Sequence, residues 1–132
     1  MPAQYLNPET LHSNPVFTQA ILLPAGARTL LIGGQNAVDR QGQVVGKGDV
    51  AAQSAQALGN LKAVLDAAGA KLEDLVKVTV VIDQSADLRA AFGAWMSFWG
   101  ARTKPPTVTV LRVAGLANPD YLIEIEAQAV LA

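Results

Sequence analysis

One stretch with both of its ends marked, residues 49–69 (DVAAQSAQALGNLKAVLDAAG), constrains the fold most strongly. Asp49 is a favourable N-cap, because its carboxylate can accept a hydrogen bond from a free backbone N–H of the first turn. Gly69 lies where a left-handed residue commonly ends a helix. Between these ends, apolar residues recur at helical spacing at Ala51, Leu58, Leu61, Leu65 and Ala68. The stretch therefore predicts an amphipathic helix that covers a sheet.

The strand that such a helix would cover follows at residues 75–82, LVKVTVVI. Alternation places Val76, Val78, Val80 and Ile82 on one face, and Leu75, Lys77, Thr79 and Val81 on the other. A strand that follows a helix, which itself follows a strand, indicates a crossover connection.

The remaining elements complete an α+β pattern. Strands are predicted at residues 16–23, 28–32, 107–113 and 121–130, and a second helix at 85–100. The first two strands predict a hairpin, and residues 1–15 read as a polar lead-in arm. The order predicts one domain over residues 1–132, a two-layer α+β fold with a mixed sheet and two helices on one face.

Apolar residues on both faces of this sheet do not fit a monomer. If both helices cover one face, the other face should be largely polar. Residues 30–32 and the strand at 75–82 instead carry apolar side chains on both faces. Because no further helix is available, we expect a second subunit to cover the other face.

Composition excludes several function classes. The chain of 132 residues has a formal net charge of −1. We therefore expect neither nucleic acid nor an anionic membrane as a partner. No apolar run reaches the roughly 18 residues of a membrane-spanning helix. The chain has no cysteine and one histidine, His12, which argues against a thiol nucleophile or a metal site. The first residues lack the pattern of a signal peptide, so a cytoplasmic location is expected.

Residues 46–51, GKGDVA, match the dinucleotide-binding fingerprint in letters. No strong strand precedes them, and a carboxylate at Asp49 would repel a pyrophosphate. We interpret them as a loop followed by a helix cap, and we expect no cofactor there.

The chain resembles the RidA/YjgF family from about residue 17 to its end. The motifs are a Gly-Gln pair at 34–35, a Q…L.N…L..AG…D.VK.TV pattern over 53–80, and the closing LIEIEAQAV. The resemblance implies a chorismate-mutase-like fold and a homotrimer with small-molecule pockets at the clefts between subunits. It also implies hydrolysis of reactive enamines and imines, such as 2-aminoacrylate, to keto acids and ammonia without a cofactor.

The family's polar contacts to substrate are partly replaced in this chain. By resemblance, Val108 stands at the position of an arginine that binds the substrate carboxylate. Phe17 replaces a tyrosine, Phe92 an asparagine and Val110 a cysteine. We therefore expect little or no deamination of 2-aminoacrylate and identify a divergent branch of the family.

Other family positions are kept. Gly34 and Gln35 form the family's turn, Thr109 keeps a hydroxyl where active members have serine, and Glu124 matches a glutamate thought to position or activate water. The alternative for Glu124, and for Glu126 on the same strand face, is a solvent-facing or ion-paired strand edge.

Arg112 is the one cation on the strand that lost its arginine. It lies roughly 13 Å along the strand from Val108, which is too far to replace that residue in place. An ion pair with Glu124 or Glu126 is the favoured interpretation, and a position lining a shifted cleft is the alternative. Arg102 and Lys104 could reach the cleft from the preceding loop, although solvated side chains are favoured.

Three classes of function remain open on the sequence. The first is a trimeric enamine or imine hydrolase with Glu124 near the water. The second is a trimer that binds a metabolite without turnover, and the third is a structural trimer that acts through partners. Trp95 and Trp99, one helical turn apart, are expected in the core or at a subunit contact rather than as a stacking surface for bases.

Overall fold

The computed structural model describes residues 3–131. It contains two helices, α1 (Val50–Ala67) and α2 (Leu88–Trp99), and a short 3₁₀ turn at Leu72–Asp74. The six strands are β1 (Gln4–Leu6), β2 (Ala20–Leu22), β3 (Arg28–Gln35), β4 (Leu75–Asp83), β5 (Thr107–Val113) and β6 (Ile123–Leu131). Strands β3-β6-β4-β5 form a mixed sheet, in which only β4 and β5 run parallel. Both helices pack on one face of this sheet, so the predicted α+β two-layer architecture is confirmed.

Both predicted ends of α1 are confirmed. The Asp49 carboxylate accepts a hydrogen bond from the backbone N–H of Ala52 at 3.1 Å. At the other end Gly69 has φ +72°, and the N–H of Ala70 donates to the carbonyl of Leu65 at 2.9 Å. This is the left-handed helix end in which a glycine avoids the steric cost of a Cβ. Local sequence therefore determines where α1 begins and ends.

The sheet buries its helix-facing side in one apolar core. Ile123 and Ile125 of β6 and Val78 and Ile82 of β4 join the core with Leu58, Leu61 and Leu65 of α1. A register shift between Leu75 and Lys77 turns Leu75 into this core, against the predicted alternation. An extra residue in one strand reverses the side to which residues before it point.

The two predicted strands at 16–23 and 28–32 do not form a hairpin, and that prediction is wrong. Strand β2 pairs with β1, and Ile21 lies opposite Tyr5. Strand β3 pairs with β6, and Leu30 lies opposite Ala129. The pairing with β6 places Leu30 and Ile32 of β3 against the core beneath α1, which burial favours over a local turn. The predicted lead-in arm accordingly contains β1.

The buried face of α1 is less apolar than predicted. Ala51 is exposed, whereas Gln53 and Ser54 are buried. The Gln53 amide donates to the carbonyls of Gly46 (3.2 Å) and Asp120 (2.9 Å) and accepts from the N–H of Leu122 (2.9 Å). Gln53 thereby fastens α1 to the loop that precedes it and to the loop that precedes β6, and these bonds satisfy its buried amide.

The helix-free face of the sheet carries charged and apolar side chains together. Lys77, Thr79 and Val81 of β4 alternate onto this face. Leu31 of β3, 73% exposed, and Leu111 of β5, 49% exposed, also lie on it. The apolar side chains predicted for this face are therefore present, and nothing within the described residues 3–131 covers these two leucines.

Candidate functional site

An apolar cavity of about 440 Å³ lies between the helix-facing side of the sheet, α2 and the segment around Phe17. Its lining is apolar except for two side chains, those of Ser54 and Arg89. The apolar residues that line it are Val16, Phe17, Leu58, Val78, Val80, Leu88, Ala91, Phe92, Trp95, Val108, Val110, Ile123 and Ile125. A volume of this size falls within the range of about 300–1,000 Å³ that is usual for small-molecule sites.

The wall formed by β5 follows from the parallel register of β4 and β5. Val108 lies opposite Val78, and Val110 lies opposite Val80. Because side chains alternate along a strand, all four point to the helix side. The strand therefore presents a branched aliphatic surface at the position where the family resemblance expects an arginine.

The wall formed by Phe17 depends on its neighbour Thr18. The backbone N–H of Thr18 donates to the carbonyl of Pro106 at 3.1 Å, and its hydroxyl donates to the carbonyl of Pro105. Thr18 is buried, so this segment is held against the start of β5. These bonds hold Phe17 beside Val108.

Exposure separates the inner end of the cavity from its mouth. Ser54, Leu58 and Ile123 are buried at the inner end. Phe92 of α2, 47% exposed, and Val110 of the edge strand, 45% exposed, lie at the mouth. The cavity therefore opens beside the edge of the sheet formed by β5.

Glu124 lies on the opposite side of the sheet from this cavity. It pairs with Val81 of β4, while its neighbour Ile125 pairs with Val80 and lines the cavity. The Asn36 amide donates to Glu124 Oε1 at 2.7 Å, and Asn36 is held in turn by Asn60 of α1, whose amide donates to its carbonyl at 2.9 Å. Glu124 thus has a fixed orientation on the helix-free face.

Gly34 allows Glu124 to lie flat across β3. A Cβ at residue 34 would stand 2.5 Å from Glu124 Oε2 and 2.6 Å from its carboxyl carbon. Only glycine leaves room for this carboxylate, so the Gly34-Gln35 turn and Glu124 form one unit. Close approach of a neighbouring group to the backbone is one of the structural uses of glycine.

The predicted site residues thus fall into two groups. Phe17, Phe92, Val108 and Val110 line the cavity. Gly34 and Glu124 lie together on the helix-free face, and Thr109, which pairs with Thr79, also points to that face. One chain does not bring the two groups together.

Arg112 belongs to neither group. Its guanidinium donates to the carbonyl of Gln84 at 3.2 Å. Among the described residues it forms no ion pair with Glu124 or Glu126, so the favoured interpretation fails within one chain. It does not line the cavity either.

The two loop cations do not line the cavity either. Arg102 pairs with Glu73 at 3.2 Å and donates to the carbonyl of Trp99 at 2.7 Å. Lys104 lies over the ring of Tyr5, 5.7 Å from its centroid. Both side chains therefore contact other parts of this chain outside the cavity.

The tryptophans divide between the core and the cavity. Trp99 is buried, and its indole N–H donates to the carbonyl of Arg102 at 2.9 Å. Trp95 stacks on it with 5.6 Å between ring centroids and lines the cavity. Trp95 therefore belongs to the cavity wall formed by α2, and the buried Trp99 supports it from the core.

The expectations about metal binding, membrane spanning and the dinucleotide-binding fingerprint can also be compared with the structure. Within residues 3–131 no group of three or more histidine or acidic side chains is arranged to hold a metal ion. None of the helices in that range is both long enough and apolar enough to cross a membrane. The fingerprint at 46–51 forms the loop and the Asp49 cap of α1, as predicted.

Arg89 and Ser54 are the two polar lining residues that sequence reasoning did not assign to the site. Their signal was helical spacing, because Ser54 precedes Leu58 by one turn and Arg89 precedes Phe92 by one turn. This spacing places each polar residue on the same helical face as an apolar lining residue, whereas the packing of the helices on the sheet decides that this face meets the cavity.

Comparison with known proteins identifies the family. The family model described as Endoribonuclease L-PSP matches residues 10–131. A RutC family protein of Pyrococcus horikoshii is 42% identical over 101 residues, which cover 76% of this chain and 77% of that protein. The 2-iminobutanoate/2-iminopropanoate deaminase of Escherichia coli is 40% identical over 83 residues, covering 62% and 64%.

Solved structures agree with these sequence comparisons. A protein of unknown function from Yersinia pestis, of the conserved Rid family, superimposes with a TM-score of 0.86 at 35% identity, covering 99% of this chain and 100% of that one. Escherichia coli TdcF with bound serine superimposes with a TM-score of 0.72 at 31% identity, covering 83% and 85%. From its sequence and its fold alike, the chain belongs to the RidA/YjgF family.

Proposed function

We propose that this protein is a homotrimeric, cofactor-independent hydrolase of enamines and imines that prefers large apolar side chains. The observation that carries the proposal is the cavity of about 440 Å³, whose apolar wall includes Phe17, Phe92, Val108 and Val110. A deaminase of two small imino acids at 40% identity and a relative with serine bound support a small amino-acid-like ligand.

The division of the site between two faces supports assembly. The cavity opens beside β5, whereas Glu124 and Gly34 lie on the helix-free face near the other edge of the sheet. A site that uses both needs the cavity of one subunit and the Glu124 of another. The exposed Leu31 and Leu111 give the helix-free face the apolar surface that a subunit contact requires.

The chemistry requires one base and one water. Glu124 takes a proton from the water as its oxygen adds to the imine carbon, and the tetrahedral carbinolamine forms. Glu124 first gives this proton to the nitrogen, which completes the neutral carbinolamine. It then takes the proton of the carbinolamine hydroxyl and delivers it to the same nitrogen, so that the carbonyl of the keto acid forms as the carbon–nitrogen bond breaks and ammonia leaves. Asn36 holds the carboxylate of Glu124 in position. Backbone N–H groups around Gly34 bind the substrate.

The missing arginine sets the substrate range. Hydrogen bonds to charged groups contribute about 1.5–3 kcal/mol each, so losing a bidentate contact costs small imino acids roughly two to four powers of ten in kcat/KM. A large apolar side chain recovers part of this loss by burial in the cavity, at about 25 cal/mol per Å². Turnover should therefore rise with side-chain size.

The test is a coupled assay that generates imines in situ from a series of amino acids and follows keto-acid release. An arginine-bearing relative serves as reference. We expect 2-aminoacrylate turnover far below the reference and a smaller gap for leucine- and phenylalanine-derived imines. Turnover of 2-aminoacrylate within about tenfold of the reference, a gap of ~1.4 kcal/mol, would contradict the proposed preference.

Glu124→Gln and Glu126→Gln make a matched pair, since both residues lie on the same strand face. Glu124 is half-buried and bound by Asn36, whereas Glu126 is exposed. We expect Glu124→Gln to lower kcat about 10²-fold or more with the assembly intact, and Glu126→Gln to change it little. Equal effects of the two changes would assign Glu124 a structural role.

The second candidate is a trimer that binds a metabolite without turnover. The observation that favours it is the apolar lining, which keeps volume for a ligand while offering few polar groups for chemistry. Saturable binding of an apolar 2-oxo acid, together with imine hydrolysis no faster than in buffer, would select this alternative.

A further inference from the structure

The inner end of the cavity holds a buried hydroxyl without a partner. Ser54 is 1% exposed, and its Oγ is the only buried side-chain polar atom among residues 3–131 that makes no hydrogen bond. A helical serine commonly bonds to a carbonyl of the preceding turn, and this one does not. An unsatisfied buried hydroxyl costs about 1–3 kcal/mol, so the folded chain retains it against its own stability.

A single water would satisfy this hydroxyl poorly. A buried water is held by two to four polar partners. The side chains around Ser54 in the cavity, such as Leu58, Ile123 and Ile125, are apolar. The hydroxyl is therefore better matched by a polar atom on a ligand whose remaining surface is apolar.

The mouth of the cavity holds a free cation. Arg89 lies in the first turn of α2, is exposed and lines the cavity. Its guanidinium forms no hydrogen bond or ion pair with any described residue; only its backbone N–H is used, in the Asp87 cap of α2 at 2.9 Å. A planar guanidinium can bind both oxygens of a carboxylate.

Aromatic rings line the space between these two polar groups. Phe17, Phe92 and Trp95 contribute rings, and aromatic pairs are worth about 0.5–1.5 kcal/mol beyond the area that they bury. The lining thus runs from an arginine, through aromatic and branched aliphatic walls, to a lone hydroxyl.

We propose that Arg89 and Ser54 bind the two ends of one ligand, an aromatic 2-imino acid or its 2-oxo product. The carboxylate pairs with Arg89 at the mouth, the ring fills the apolar cavity, and a ring hydroxyl or ring N–H bonds to Ser54 Oγ. This assigns the specificity of the site to two residues outside the family-matched positions. Hydrolysis of the 2-imino acid rests on the proposed function, whereas binding of the 2-oxo acid does not.

The test is calorimetric titration of the intact protein with pyruvate, phenylpyruvate and 4-hydroxyphenylpyruvate. We expect phenylpyruvate to bind at least tenfold more tightly than pyruvate, and 4-hydroxyphenylpyruvate several-fold more tightly again. Arg89→Met should weaken both aromatic acids about 10- to 100-fold and leave the neutral analogue 4-hydroxyphenylacetone unchanged. Arg40→Met is the matched control, because Arg40 is exposed and does not line the cavity.

Ser54→Ala separates the second contact from the first. Because the hydroxyl has no partner in the chain, the variant should keep or raise its melting temperature without ligand. It should abolish the preference for 4-hydroxyphenylpyruvate over phenylpyruvate while leaving phenylpyruvate affinity unchanged. An unchanged preference in Ser54→Ala overturns the inner contact, and equal effects of Arg89→Met and Arg40→Met overturn the outer one.

These outcomes are distinguishable from those of the proposed function. Aromatic acid binding that depends on Arg89 and Ser54, without imine hydrolysis, would keep this inference and reject the hydrolase. Hydrolysis of large imines that is indifferent to Arg89→Met and Ser54→Ala would keep the hydrolase and reject this inference. Failure of both aromatic acids to bind at millimolar concentration would reject it directly.

Discussion

The two faces of the four-stranded sheet differ in what they offer a ligand. The helix-facing side of β6 carries Ile123 and Ile125, which belong to the core and line the cavity. The other side carries Glu124 and Glu126, one of them oriented by Asn36. One strand thus supplies apolar volume to one face and carboxylates to the other, because its side chains alternate. The proposed enzyme, which uses both, therefore depends on assembly of the chain.

The largest expected effect comes from placing the same charge on each face of β4. Val78→Asp puts a carboxylate without a partner into the core, where Val78 is fully buried, and should cost about 3–5 kcal/mol, enough to unfold much of the protein. Urea denaturation measures this cost. A fully stable Val78→Asp variant would contradict the described core.

The adjacent change, Thr79→Asp, tests the helix-free face. Thr79 is half-buried in one chain, so the fold should survive. If this face is a subunit contact, the particle mass should fall from about three times 13.8 kDa towards 13.8 kDa by light scattering. An unchanged trimer would place the contact elsewhere, and a wild-type monomer at micromolar concentration would reject assembly altogether.

Val108→Arg should exchange the two substrate preferences. An arginine beside Phe17 fills part of the cavity and supplies a carboxylate partner. We expect kcat/KM for 2-aminoacrylate to rise about 10- to 100-fold, and that for phenylalanine-derived imine to fall. The coupled assay measures both. A parallel fall for both substrates, with the fold intact by circular dichroism, would contradict the assignment of Val108 to the ligand wall.

Gly34→Ala should act on the helix-free face alone. The new Cβ would displace the Glu124 carboxylate, which is the far end of a flexible side chain, and disturb its bond with Asn36 while the fold itself stays intact. We expect Gly34→Ala to lower turnover, as Glu124→Gln does. The affinity of Gly34→Ala for 4-hydroxyphenylpyruvate should stay within about threefold of the parent, a difference of less than 1 kcal/mol. Gly33→Ala is the control, since a Cβ there meets nothing within 4 Å. Matching losses in both variants would point to the backbone of β3 instead.

The smallest expected effect is a pH dependence at the end of β4. Hydrogen bonds from the hydroxyl and the backbone N–H of Ser85 lower the pKa of Asp83 from its ordinary value of 3.8. A lowered folded-state pKa gives stability that is present above the ordinary value and is lost as the pH falls through the lowered one. Asp83→Asn should remove this component from acid denaturation curves without changing ligand affinity at neutral pH. Identical acid curves for Asp83→Asn and the parent would show that the component is absent.

Some of these features were readable from the sequence because they are local. Asp49 and Gly69 mark the ends of α1 through hydrogen bonds and a backbone angle that involve only nearby residues. The strand at 75–82 was readable from its β-branched alternation, and the order of elements then predicted two helices on one face. The family motifs placed Phe17, Val108 and Glu124 at positions of interest without locating them relative to one another.

Tertiary structure decided whatever depends on residues distant in sequence. The partner of β3 is β6, about a hundred residues away, because apolar burial beneath α1 outweighs a local turn. Helical spacing placed Ser54 and Arg89 beside apolar lining residues, but only the packing of α1 and α2 on the sheet made them cavity residues. Likewise, the register of β4 with β5 and β6 set the cavity and Glu124 on opposite faces. Sequence fixes local conformation through nearby hydrogen bonds and sterics, whereas the side to which a residue points in the finished fold is set by long-range pairing.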